Sequence, residues 1–298
     1  MITPGMPSAG GMRRPDASGQ APVDSALMPN APLIEIRNAT IWRGSTRVFE
    51  NLNLTIGQHE RVAILGPNGS GKTTLLKTIN RELYPVVADD ARVKILGRDH
   101  WNVWELRRHI GVVSHDLQAR YTPTTTALEV VVSGFHSSIG VHGTLARRVT
   151  PEQLARAHSI LGRLGIAGLA TTPLRSMSTG QQRRCLLGRA LVHRPDTLIL
   201  DEPTSGLDFA ASFDYLETIR ELARTGHSLV IVTHHLNEIP PEVERVIVLK
   251  EGRVVADGRK ESVLTADVLG AAYDTPIRVA EIDGFYLAYP GQDSKNVT

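Results

Sequence analysis

Apolar residues near the beginning of this chain recur with a period of two, which is typical of strands with one covered face. The alternating segments are 33–36, 39–42 and 48–56, and we expect them to pair as antiparallel strands. A short apolar run at 61–65 then precedes a segment, 74–79, whose apolar residues have helical spacing. The pattern therefore predicts an antiparallel region that leads into a strand and a helix.

Helical spacing dominates between residues 124 and 191, whereas short apolar runs dominate on either side of it. The runs at 197–200 and 228–232 are apolar and β-branched, as buried parallel strands are, and an amphipathic pattern separates them. Strands joined by helices in this way predict a parallel sheet with right-handed crossovers. The predicted helices are 103–109, 127–132, 151–164, 181–191 and 209–224, and further strands are predicted at 92–96 and 110–113.

Two hairpins are predicted in the last quarter of the chain, where Glu251-Gly252 and Asp283-Gly284 each separate two apolar runs. Residues 1–32, in contrast, carry six prolines among glycine and serine and no apolar stretch. We expect this tail to be disordered and to contain no signal peptide.

Composition narrows the function classes. The formal net charge is only +2, so nothing favours a nucleic-acid-binding surface. The single cysteine, Cys185, excludes an intrachain disulfide and fits a reducing compartment. No apolar run reaches the ~18 residues of a membrane-spanning helix, so any membrane segment has to come from another chain.

The strongest motif lies at residues 66–73, Gly-Pro-Asn-Gly-Ser-Gly-Lys-Thr, between the predicted strand and helix. Its glycines allow backbone N–H groups to surround phosphate oxygens at the positive end of the helix. Lys72 would neutralise the β- and γ-phosphates, and the Thr73 hydroxyl would ligate Mg²⁺. This motif predicts a nucleoside triphosphate site without indicating how its energy is used.

Three further segments with candidate chemistry follow the phosphate loop in a fixed order. Ser178 opens a predicted helix, where a hydroxyl and free N–H groups favour an anion. Asp201 and Glu202 end an apolar strand, where one acid can hold Mg²⁺ and the other can orient or deprotonate water. His234 ends the next strand. Each of these features alone also fits an ordinary cap or strand exit, and their order is what distinguishes them.

With these motifs in this order, the chain resembles the ATP-binding cassette (ABC) ATPases over roughly residues 33–270. The resemblance implies an α/β fold: a P-loop NTPase core with a mainly parallel sheet, an N-terminal antiparallel β-subdomain and a helical insert subdomain. It implies an ATPase domain at 33–275, with the insert at about 124–191 and a C-terminal hairpin and tail at 276–298.

The resemblance also implies roles for individual residues. Glu202, His234 and Lys72 would be catalytic, and Thr73 and Asp201 would hold Mg²⁺. Trp42 would stack on adenine, although a core aromatic remains the alternative. Nucleotide contacts are implied for Trp42, Gly66, Pro67, Asn68, Gly69, Ser70, Gly71, Lys72, Thr73, Thr74, His115, Ser178, Thr179, Gly180, Gln181 and Asp208.

Two positions depart from the family pattern. The family's signature sequence corresponds here to Ser178-Thr179-Gly180-Gln181, with Thr179 where glycine is common. We expect this β-branched residue to have an ordinary φ while Gly180 approaches the phosphate. His115 stands where the family usually places a glutamine that reaches Mg²⁺ and links the core to the insert. In that role, the nearby Gln118 or Asp116 is an alternative to His115. The remaining alternative is a loop that does not ligate Mg²⁺.

The family works as a dimer in which the signature sequence of one protomer covers ATP in the phosphate loop of the other. The resemblance therefore implies ATP and Mg²⁺ as cofactors, a second copy as partner, and a separate membrane permease, with the chain on the cytoplasmic face of the cell membrane. The chain's end, 263–279, is similar to metal-chelate and molybdate importer ATPases. A soluble ABC ATPase without a transporter, or a cassette that binds ATP without hydrolysing it, are the alternatives.

Overall fold

The computed structural model describes residues 31–141 and 143–291. The predicted disorder of the first residues therefore lies almost entirely outside the described part of the chain. The β-strands are β1 Ile34–Arg43, β2 Thr46–Ile56, β3 Arg61–Leu65, β4 Arg92–Ile95, β5 Ile110–Val113, β6 Thr197–Asp201, β7 Ser228–Thr233, β8 Arg245–Lys250, β9 Arg253–Arg259, β10 Ile277–Ile282 and β11 Phe285–Pro290. The α-helices are α1 Lys72–Ile79, α2 Val103–His109, α3 His115–Ala119, α4 Ala127–Ser133, α5 Pro151–Arg163, α6 Thr179–Leu191, α7 Phe209–Arg224, α8 Lys260–Val263 and α9 Ala266–Tyr273.

A six-stranded sheet in the order β5-β6-β7-β3-β8-β9 forms the centre of the molecule. The pairs from β5 to β8 are parallel, and only the hairpin partner β9 is antiparallel. Successive residues of each parallel strand enter two different hydrophobic cores: Ile64 packs in one, and Ala63 and Leu65 pack in the other. Burial on both faces explains the continuous apolar runs of these strands.

The hydrophobic core that contains Ile64 is closed by a smaller antiparallel sheet in the order β2-β1-β4. Residues 33–36 and 39–42, predicted as separate strands, are one strand, because register shifts after Ile36 carry β1 past Asn38 at a φ of 44°. The alternation is confirmed, since Ile34, Ile36 and Ile41 are all buried.

Helices cover the other face of the central sheet. Between 124 and 191, α4, α5 and α6 pack together, and no strand is found in the described residues of that segment. Thr150 and Gln153 form a capping box at the start of α5, with Pro151 at the first helical position. The predicted parallel sheet, antiparallel sheet and helical segment are therefore all present.

Cys185 lies on α6, fully buried, with its Sγ atom 3.8 Å from the Met177 sulfur. Burial raises the pKa of its thiol to about 12. Among the described residues, no helix has the length and apolar character needed to cross a membrane.

Candidate functional site

The phosphate loop between β3 and α1 depends on glycine at three positions. A Cβ atom at Gly66 would lie 2.2 Å from the Leu249 carbonyl oxygen, so the loop lies directly against β8. Gly69 and Gly71 have φ angles of 82° and 109°, which side chains strongly disfavour. Because these constraints fold the loop tightly, the first N–H groups of α1 open toward the same side as Lys72.

Lys72 is the buried cation of this loop. Its Nζ donates to the carbonyl oxygens of Gly66 and Pro67, at 2.6 and 3.0 Å. Burial lowers the pKa of Lys72, and the carboxylates of Glu202 and Asp201 oppose that shift. The ammonium group is thus held by two carbonyl oxygens of the loop and lies within the electrostatic influence of two acids.

A cavity of about 420 Å³ lies in front of the loop. Asp201 and Glu202, at the end of β6, line it together with Lys72 and Thr73. Burial raises the pKa of Asp201 to about 6, with repulsion from Glu202 and Asp116 adding to the effect. The structure therefore brings the predicted phosphate-binding and acidic residues to a single cavity.

Glu202 is paired with His234 at the end of the neighbouring strand. The Glu202 Oε1 atom lies 2.8 Å from His234 Nδ1. Glu202 has a φ of 45°, an unusual conformation for glutamate, and its N–H donates to the Val232 carbonyl of β7 at 2.8 Å. The pair is fixed by the parallel pairing of β6 and β7, which places both strand ends at one edge.

Two supporting residues could not have been identified from the sequence patterns. Glu238 is completely buried and accepts hydrogen bonds from the Thr204 N–H and from the hydroxyls of Thr204 and Thr233. It thereby joins the segment after Glu202 to the last residue of β7, which directly precedes His234. Tyr273 of α9 donates to the His234 carbonyl at 3.4 Å. Neither residue is part of a motif with a known spacing, and Tyr273 ends the largely apolar helix α9.

The signature segment begins α6 and does not line the cavity. Ser178 caps the helix: its Oγ accepts from the Gln181 N–H at 3.3 Å, and its own N–H donates to the Gln181 side chain at 3.0 Å. Thr179 has an ordinary φ, as expected, and is the first residue of the helix. Gly180 packs closely, since a Cβ there would lie 3.1 Å from the Ala211 methyl group.

His115 begins the short helix α3, where a loop was predicted. Ser114 caps α3 by accepting from the Leu117 N–H, which is why the chain turns into a helix at this point. His115 Nδ1 lies 3.4 Å from Arg183, and Gln118 donates to the Gln182 side chain at 2.7 Å. Both substitutes for the linking glutamine thus contact neighbouring residues of α6, and Asp116 lies 3.6 Å from Lys77.

Two further predicted residues, Trp42 and Asp208, do not line the cavity. Trp42 is 43% exposed near the end of β1, and the cavity is lined by the adjacent Arg43. The alternative of a core aromatic is therefore wrong for Trp42, while adenine stacking stays a prediction. Asp208 caps α7 by accepting from the Ala211 N–H at 2.8 Å.

The family model described as ABC transporter matches residues 49–205, which is more than half of the chain. The chain belongs to the ABC transporter family. The uncharacterized ABC transporter ATP-binding protein YlmA of Bacillus subtilis (strain 168) is 33% identical over 252 residues, covering 83% of this chain and 93% of the relative. The L-cystine transport system ATP-binding protein TcyN of Escherichia coli (strain K12) is 35% identical over 234 residues, covering 76% and 89%.

Solved structures of ABC proteins share the fold. A putative metal-chelate type ABC transporter in an inward-facing conformation matches with a TM-score of 0.68 at 22% identity, over 87% of this chain and 96% of the other. The dimeric cassette MJ0796 in a post-hydrolysis state bound to ADP and Pi matches with a TM-score of 0.62 at 28% identity, over 76% and 98%.

This ABC ATPase binds ATP or ADP and hydrolyses ATP. The geometry is suited to this reaction: the loop and Lys72 would neutralise phosphate charge, and Glu202, 2.8 Å from His234, is placed where it would accept a proton from an attacking water. The Thr73 hydroxyl and the Asp201 carboxylate offer the oxygen ligands that Mg²⁺ prefers. The donor set therefore fits this ion, which would neutralise charge on the phosphates.

Proposed function

We propose that this ABC ATPase powers an importer, acting as a dimer on the inner face of the cell membrane together with a separate membrane-spanning partner. In each site, Mg²⁺ would be held by Thr73 and Asp201, and Glu202 and His234 would act on the attacking water. Similarity to a cystine transport subunit supports the transport role.

The dimer is proposed because one chain alone does not bring all of the predicted nucleotide-binding residues to the cavity. Lys72, Thr73, Asp201 and Glu202 all line the cavity, but Ser178 and Gln181 do not. The start of α6, which Ser178 caps, has the N–H groups and hydroxyl of a helix N-terminus that can bind an anion. A second copy, placed head to tail, would bring its Ser178 segment over the Lys72 loop, and the dimeric structure of the similar cassette MJ0796 supports a dimer.

A second cleft, between α1, α2 and α3 on one side and the helical segment on the other, is the proposed contact for the membrane partner. Its volume is about 270 Å³, and Lys77, Arg107, Arg120 and Arg189 line it against only two acids, Glu82 and Asp116. Burial and the nearby Arg189 lower the pKa of Arg107, as expected where cations are crowded. This charge fits an acidic cytoplasmic segment of the partner.

The deciding experiment uses Glu202→Gln, which keeps the shape of the side chain and removes its basicity. We expect ATP turnover to fall at least ~100-fold while ATP binding persists, because the base acts only during hydrolysis. The variant should then accumulate as an ATP-bound dimer, measured by light scattering after size-exclusion chromatography.

The control is His59→Gln, an exposed substitution outside the cavity, which should hydrolyse ATP and remain monomeric under the same conditions. Turnover by Glu202→Gln equal to that of the unaltered chain would favour a cassette that does not hydrolyse ATP. Undiminished binding with a monomer at every ATP concentration would contradict the head-to-tail dimer.

A further inference from the structure

Arg183 of α6 is the largest side chain that is fully enclosed by the protein. Its Nη2 atom lies 3.4 Å from His115 Nδ1 and 3.4 Å from the Ser205 carbonyl oxygen. Its Nε and Nη1 atoms contact no hydrogen-bond acceptor in the described residues. A guanidinium carries five N–H donors, so most of them are unused here.

The elements around Arg183 are those that carry the active site. His115 begins α3 after β5, Ser205 follows the acids at the end of β6, and α6 itself begins directly after its cap, Ser178. Arg183 is also close enough to Asp201 to lower the pKa of that carboxyl against the opposing effect of burial. One side chain therefore lies where three functional segments meet.

Stability does not explain an arginine at this position. Removing a guanidinium from water costs free energy that two long hydrogen bonds recover only in part, and an apolar side chain of similar length would be cheaper to bury. Arg220 offers a comparison, since its guanidinium contacts both Glu217 and Glu242 within 3.0 Å. The unused hydrogen-bond donors of Arg183 point instead to a role in the reaction.

We propose that Arg183 is a positioning residue for ATP hydrolysis. Its guanidinium joins the start of α3, through His115, to the Ser205 carbonyl beyond Glu202, so that the acids and the signature helix keep one relative position. Arg183 itself does not touch the cavity, whose lining contains Asp201 and Glu202 but no residue of α6. The inference concerns hydrolysis alone and does not depend on an importer or on a membrane partner.

The test compares Arg183→Met with the unaltered chain in steady-state ATPase assays and in thermal unfolding. We expect kcat to fall about tenfold or more while KM for ATP changes less than about threefold, because the Lys72 loop is untouched. The melting temperature should stay the same or rise, since a buried charge is replaced by an apolar chain. Arg183→Lys keeps the charge but not the planar fork, and it should recover only part of kcat.

Arg184→Met is the matched control, because this neighbouring arginine on α6 is partly exposed and contacts Asp214 at 3.5 Å. It should leave kcat unchanged. His115→Ala alone and combined with Arg183→Met completes a double-mutant cycle, and the double variant should be no slower than the slower single variant.

Three results would overturn the proposal: an unchanged kcat in Arg183→Met, a fall in kcat that accompanies a fall in melting temperature, or additive effects in the cycle. If Arg183→Met does not fold, Arg183→Lys decides, and full activity in that folded variant would also overturn it.

Discussion

At the scale of single residues, the adjacent acids Asp201 and Glu202 show that the site is held in an unfavourable electrostatic arrangement. Asp201 is half-buried, and its pKa is raised to about 6 by burial first and by Glu202 and Asp116 next. An acid whose pKa is higher in the folded state binds its proton more tightly there than in the unfolded chain. Ionisation of Asp201 therefore destabilises the metal-free protein.

Asp201→Asn should accordingly stabilise the protein while abolishing hydrolysis. The gain in the free energy of unfolding is absent below about pH 4, grows as pH rises through about 6, and reaches about 2 kcal/mol at neutral pH. It follows pH because only the ionised Asp201 carboxylate destabilises the folded state. Thermal unfolding in EDTA without nucleotide, at pH 4.5 and pH 7.5, measures it. Exposed Asp89→Asn is the control and should change the melting temperature at neither pH. A lower melting temperature for Asp201→Asn at pH 7.5 would contradict this account.

The sequence allowed prediction of the residues whose chemistry depends on spacing along one strand or loop. Lys72, Thr73, Asp201 and Glu202 line one cavity because parallel strands end at the same edge, and that rule needs no three-dimensional information. Arg183 was not predicted, because its position inside an amphipathic helix looks the same whether its side chain meets solvent or three loops. Residues that act through distant contacts leave no local pattern.

At the scale of elements, the two predicted hairpins are confirmed because their turn residues dictate the geometry. Glu251 and Gly252 have φ angles of 47° and 73°, and Asp283 and Gly284 have 53° and 80°. Positive φ at both central positions is the conformation that matches the twist of paired strands. The helices α8 and α9 were not predicted; the four residues of α8 make only about one helical turn, which is too short for a periodic signal.

The β8–β9 turn also supports the phosphate loop. Gly252 donates its N–H to the Ser70 carbonyl at 3.1 Å, and a Cβ atom at Gly252 would lie 1.8 Å from the Val48 carbonyl of β2. The turn is therefore wedged between the small sheet and the nucleotide loop.

Gly252→Ala should destabilise the protein by about 3 kcal/mol, because it combines a positive φ with a clash against backbone. Gly44→Ala is the matched control: Gly44 has a φ of 61° but open space around it, so a loss of only about 1 kcal/mol is expected. Urea unfolding curves give both values. Equal losses for the two variants would show that the close approach at Gly252 has no energetic weight.

At the scale of the whole molecule, the short helix α3 connects the basic cleft to Arg183 of α6. His115, at one end of this helix, contacts Arg183, and Leu117 and Arg120 line the cleft. A partner seated in the cleft would thus touch the same short helix that contacts the signature helix. This arrangement supports transmission of ATP-driven movement to a membrane protein.

Arg120→Glu should weaken association with that partner about tenfold, since it reverses an exposed charge in the cleft. The ATPase rate of the isolated chain should not change. The measurement is co-purification, at two salt concentrations, after coexpression with a candidate polytopic membrane protein, chosen by searching the neighbouring genes.

Arg259→Glu, a similarly exposed reversal outside the cleft, serves as control and should retain the partner. If the unaltered chain purifies only in a complex free of membrane protein, the importer proposal fails and a soluble ABC ATPase is favoured.

Cys185 has a practical consequence for observing these movements. Its thiol is enclosed on α6 and its pKa of about 12 leaves almost no thiolate at neutral pH, so maleimide reagents should not modify it in the folded protein. A cysteine introduced at an exposed position would therefore be the single labelling site, without any need to remove the natural one. With a spin label or fluorophore at such a position, distances between two protomers would report closure directly on an otherwise unaltered chain.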